Sequence, residues 1–85
     1  MNKYILLALI AFSSLYAEQT GLEAFKDKNY DKAFKLYKEE AVKGDSVSQN
    51  ALSYLYLNGI GTSKDLKEGL VWLKKSAHNM DAVAQ

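Results

Sequence analysis

The chain has no cysteine, no proline and no arginine, and one histidine, in 85 residues. Without cysteine there can be no disulfide, no thiolate zinc site and no thiol nucleophile. The staple that small exported domains often use is missing as well. Every basic side chain is a lysine, so the bidentate fork that reads phosphates and base edges is absent and nucleic acid is not an expected partner. With five glycines and no proline, composition argues against disorder, collagen and low complexity. The lone His78 has no second histidine or cysteine to share a metal with. It is expected at the end of the last helix, where positive charge complements the helix dipole. Asp31, Glu39, Glu40 and Glu68 sit beside lysines on expected solvated faces, and Glu39 with Lys43 forms an ordinary i,i+4 pair. No two acids share an apolar setting that would split their pKa values. Serine is common, yet neither G-x-S-x-G nor S-x-x-K occurs. No catalytic residue, cofactor or metal is expected.

What is present begins with an apolar run. Lys3 and the amino terminus form a short positive region, residues 4–12 are unbroken apolar, and Ser13, Ser14 and Ala17 precede the polar Glu18. This is the layout of a signal peptide over residues 1–17, too short for a comfortable membrane span of about 20 residues. No cysteine follows for a lipid anchor. The expected location is periplasmic or secreted, with the membrane met only through the uncleaved segment. Removing it takes Lys3 of the 11 lysines and leaves ten to balance the ten acids, so the remainder is formally neutral. A neutral domain has no electrostatic reason to seek membranes or nucleic acid.

The rest repeats itself. A shift of 36 residues lays Ala41, Asp45, Val47 and Gln49 on Ala77, Asp81, Val83 and Gln85. The same shift lays Tyr30, Phe34, Leu36 and Tyr37 on Leu66, Leu70, Trp72 and Leu73, and Ala33 on Gly69. A single helix pair cannot bury its own apolar face, so a repeated pair implies stacking. Capping signals recur too. Thr20-x-x-Glu23 is a capping box, Asn29 and Asp65 occupy equivalent places, and Asp45 or Ser46, with Gln49 as a second box, opens a further helix after Gly44. These signals predict helices over about 21–28, 30–43, 47–57 and 66–78, with a fifth beginning near Val83. Expected core stripes are Tyr30, Phe34, Tyr37 and Ala41; then Ala51, Leu52, Leu55 and Tyr56; then Leu66, Leu70 or Gly69, Leu73 and Ala77. Small residues, among them Ser48, Ser53 and Gly69, mark close helix approaches. Gly59 and Gly61 supply positive φ to a longer connection. A phosphate cradle would need a preceding strand and a Gly-Lys-Ser/Thr or G-x-G-x-x-G context, and neither is present.

Residues 48–77 resemble a Sel1-like repeat. The matching positions are Leu52, Tyr56, Gly59, Gly61, Asp65, Trp72, Lys75 and Ala77. Departures are Ser48 for Ala, Ser53 for Gly, Thr62 for Val, Glu68-Gly69 for Lys-Ala, Leu73 for Tyr and Ser76 for Ala. The earlier stretch, 22–45, is similar to the shorter tetratricopeptide-like unit that opens such arrays. The resemblance implies an all-α fold, an αα-hairpin repeat solenoid of about two repeats plus the start of a third. The expected division is 20–45, 46–80 and 81–85 within a repeat region 18–85.

The resemblance also implies a bacterial, non-catalytic scaffold or adaptor that holds another protein. Two other roles stand beside it. One is a β-lactamase-like or penicillin-binding hydrolase, as in the secreted cysteine-rich relatives, whose paired cysteines this chain lacks. The other is a piece of a longer array. Helical spacing assigns Tyr30, Phe34, Tyr37, Tyr56 and Trp72 to the core. Tyr54 falls off the apolar stripe and is the expected partner-facing ring. No capping unit follows residues 81–85, so the last helix is expected to show Val71, Leu73 or Ala77 to solvent and to self-associate there.

Overall fold

The computed structural model describes residues 19–84, with side chains up to Asp81, so the segment assigned to export lies outside the described residues. These form helices α1 (Gly21–Lys26), α2 (Tyr30–Val42), α3 (Ser46–Asn58) and α4 (Leu66–Ala84), without strands. Each helix packs on the next in the chain, giving two antiparallel hairpins stacked side by side.

The caps explain the boundaries. The Thr20 hydroxyl accepts from the Glu23 backbone N–H and opens α1. Asp45, not Ser46, opens α3, its carboxylate accepting from the Ser48 N–H at 3.1 Å. Asp65 does the same for α4 through the Glu68 N–H. Asn29 precedes α2 but makes no side-chain cap; its own N–H is spent on the Ala24 carbonyl at 2.9 Å in a tight turn. Gly59 ends α3 in the left-handed conformation, and the Ile60 N–H reaches back to the Leu55 carbonyl.

Gly61 has a second reason to be glycine. A Cβ there would lie 2.2 Å from the Tyr30 carbonyl oxygen, because the α3–α4 connection is pressed onto the first turn of α2. Its φ of +72° disfavours a side chain independently. Ile60 packs on the core, and the Asp65 N–H donates to the Tyr56 carbonyl at 2.8 Å, closing the loop.

The core consists of Ala24, Ala33, Tyr37, Ala41, Leu52, Leu55, Tyr56 and Trp72. Tyr30 is 38% exposed instead of buried and stacks edge-on against Phe25 at 5.3 Å. Phe34 is half-buried and meets Tyr56 edge-on.

Helix α4 corrects three expectations. Its buried face is Gly69, Trp72 and Ser76, while Leu66, Leu70, Leu73 and Ala77 are exposed. Both stripes recur every three or four residues, so periodicity alone cannot choose between them. The choice follows from close approach: a Cβ on Gly69 would meet Leu57 at 2.5 Å, and the Ser53 hydroxyl donates to the Gly69 carbonyl at 2.7 Å. Small residues at 69 and 76 let α4 lie flat on α3, with Trp72 filling the space between them. Helix α4 also runs unbroken through residues 79–82 to Ala84, so no separate helix starts near Val83. Asp81 lies within the helix and His78 is not at its end.

Candidate functional site

Three of the described helices converge on a groove of about 430 Å3. Leu22 and Phe25 line it from α1, Tyr37 from α2, and Asn50, Ala51, Tyr54 and Leu55 from α3. The groove exists because α1 and α3 both lean on α2. Gly21 makes the first contact possible, since a Cβ there would sit 2.6 Å from the Tyr37 ring. Tyr37 and Leu55 are buried and form the floor, whereas Leu22, Asn50 and Tyr54 are exposed at the rim. Tyr54 is 54% exposed, with its ring on the wall of this groove. A larger hollow beside Phe34 and Val42 is lined, among the described residues, by α2 and its C-cap residue Lys43. It is a strip along one helix, rimmed by Asp31, Glu39 and three lysines, whereas the other groove is walled by three helices and is the better candidate.

The groove is held by hydrogen bonds that converge on one carboxylate. Glu40 was expected on a solvated face, but it is half-buried and links three helices. One carboxylate oxygen accepts from the Gly21 N–H at 2.9 Å and the other from the Ser48 hydroxyl at 3.2 Å. A carboxylate at the first residue of α1 also meets the positive end of that helix. Behind it, Gln49 belongs to a buried bridge instead of a capping box. Its amide N–H donates to the Ala41 carbonyl at 3.0 Å, and its oxygen accepts from Asn79 at 2.7 Å. Ser76 donates to the Ser46 carbonyl at 2.8 Å. Among the described residues no buried side-chain polar atom lacks a partner, which matters because each unpaired one would cost about 1–3 kcal/mol.

Burial raises the Tyr37 phenol above its ordinary range, and the nearby Glu40 charge adds to this. Tyr56 is raised by burial first, then by Glu68 and Asp65. Both rings stay neutral at ordinary pH, Tyr37 in the floor of the groove and Tyr56 in the core. Lys75 covers the edge of the core, its ammonium 4.4 Å from the Trp72 ring centroid.

Of the repeat positions read from the sequence, Leu52, Tyr56 and Trp72 are buried, Gly59 and Gly61 shape the loop, Asp65 caps α4, and Ala77 is exposed. Leu22, Phe25 and Asn50 were not singled out as site residues. Their signal was present in part: Leu22 and Phe25 share one face of α1, and Asn50 and Tyr54 share one face of α3. That these faces look at each other is a tertiary fact. Among the described residues, no group of three or more His, Cys, Asp or Glu could hold a metal ion. No helix there is long and apolar enough to cross a membrane.

A family model described as the Sel1 repeat matches residues 6–39 and 46–79. The first match takes in most of the segment that reads as a signal peptide. No curated protein and no solved structure is significantly similar to the chain.

Proposed function

The chain belongs to the Sel1 repeat family, whose repeats typically serve as protein–protein interaction modules, and from that premise we propose that it is an exported bacterial scaffold whose α1–α3 groove takes a bulky apolar side chain of another protein. The observation that supports this is the groove itself: an apolar floor with an exposed aromatic ring and an exposed amide at its rim. Such a mixture suits recognition of a protein segment, since aromatic rings bury large area at low entropic cost and amides fix orientation. The test is a photo-crosslinking residue at position 54 in the producing cells, with a second at Lys38 on the outer side of α2. Adducts from 54 that are absent from 38, and that a Leu22→Glu change removes, support the groove. Equal adducts from both positions sink it.

Export rests on the layout of residues 1–17, and the protein is assigned to the periplasm or the medium on that ground. The first family match begins at residue 6, and its extent favours a second use of the same residues, as part of the first repeat. Mass spectrometry of the exported protein decides between them. A new amino terminus near Glu18 supports cleavage, and an intact Met1 in the soluble exported fraction supports their use in the repeat. For the hydrolase alternative, the purified chain should not turn over a chromogenic β-lactam above a matched blank.

A further inference from the structure

The exposed stripe of α4 has the spacing of a helix-pairing seam. Leu66, Leu70, Leu73, Ala77 and Met80 follow one another at intervals of four, three, four and three residues, the alternation that keeps one narrow face turned to a partner helix. All five are exposed: Leu66 57%, Leu70 52%, Leu73 40% and Met80 44%, with Ala77 beside them. The seam runs along a single helix that continues unbroken past Met80, and it adjoins but does not overlap the face packed on α3.

The flanks of the seam indicate what covers it. On one side lie Gly69 and Ser76, which are already buried against α3. On the other lie Lys67, Lys74 and Asp81, all exposed. A parallel partner would match one flank with the opposite flank of its mate, and here one of those flanks is committed to α3. An antiparallel partner matches like flank with like flank. Two copies of α4 related by a two-fold axis near Lys74 then set Lys67 of each opposite Asp81 of the other, two opposite-charge pairs from one symmetric contact. Leu73 lies over Ala77 of its mate and Leu70 over Met80, each large residue facing a smaller or more pliable one. The two Lys74 side chains meet at the axis, and their repulsion keeps the contact reversible. We propose that α4 is a homodimerisation seam, pairing antiparallel with α4 of a second copy through Leu66, Leu70, Leu73, Ala77 and Met80, with Lys67 and Asp81 setting the direction.

This goes beyond the groove, which is lined by α1, α2 and α3 and not by α4, and the two can fail separately. The measurement is sedimentation of the full chain over a wide concentration range, beside charge-swapped forms. Lys67→Asp or Asp81→Lys alone should weaken self-association about tenfold, because two attractive pairs become repulsive. The double swap should restore it, and Lys74→Gln should tighten it. Leu73→Glu should leave a monomer with unchanged helicity, since the face on α3 is untouched. Tyr54→Ala should change nothing here. A chain that remains monomeric throughout, one that associates equally well with Leu73→Glu, or a double swap that fails to restore what the single swaps lose would each overturn the proposal.

Discussion

The two hairpins solve the same packing problem with different turns. In both, a glycine on one helix lets a large side chain on the other come close: Gly21 under Tyr37 in the first pair, Gly69 under Leu57 in the second. The turns differ. The first pair reverses through Asp27, Lys28 and Asn29, with Lys28 at φ +61° although it carries a side chain. The second takes a longer path through Gly59 and Gly61, both at positive φ. Lys28 is exposed, so a side chain there costs only backbone strain. Gly61 is pressed onto α2, so a side chain there would cost strain and contact together. Loop length is therefore tied to docking. The short turn connects two helices, whereas the long loop also binds the second hairpin to the first.

The largest expected effect tests whether the second hairpin depends on its one large aromatic. Trp72→Ala should cost about 3–5 kcal/mol, the range for deleting a buried aromatic. A domain of this length holds about 3–10 kcal/mol in total at typical per-residue values, so a melting curve should show the protein near or past unfolding at room temperature. A melting temperature within a few degrees of the parent would mean that Trp72 does not anchor α4 on α3.

The two turns are then compared directly. Gly61→Ala should cost on the order of 2 kcal/mol or more, through left-handed strain plus the clash with the Tyr30 carbonyl. Lys28→Gly, at the exposed left-handed position, should be neutral or stabilise by up to about 1 kcal/mol. Denaturant titration of both variants measures the pair. Equal losses would show that the loop does not dock.

The smallest effect probes one buried tyrosine in each hairpin by pH. The Tyr37 and Tyr56 phenols both lie above their ordinary value of 10.0 in the fold. Above pH 10 the unfolded chain gives up these protons while the folded chain still holds them. Their contribution to stability is thus complete below about pH 10 and lost as pH rises through the folded values. Thermal melts should fall on the alkaline side, and the fall should be shallower in Tyr37→Phe and in Tyr56→Phe. Variants that track the parent through that range would show that neither ring is desolvated.

Much of this was legible in the residues alone. Thr20, Asp45 and Asp65 marked helix starts, because a side-chain oxygen near free N–H groups acts locally whatever the tertiary context. Gly59 and Gly61 marked the long loop because positive φ is a local preference of glycine, and the stripe Leu52, Leu55 and Tyr56 is the buried face of α3. The matching positions from Leu52 to Trp72 identified the repeat. What the sequence could not decide was orientation. Two interleaved stripes on α4 have equal periodicity, and only the approach of Gly69 to Leu57 selects the one that is buried. Polar side chains were misread where a distant partner took the group: Gln49, expected in a capping box, is drawn into the Ala41–Asn79 bridge, and Glu40, expected on a solvated face, is held by Gly21 and Ser48. Local chemistry acts over one turn of helix and is written in adjacent residues. Which face is covered, and which polar group finds a distant partner, depends on contacts between residues far apart in the chain, and those exist only once the helices have docked.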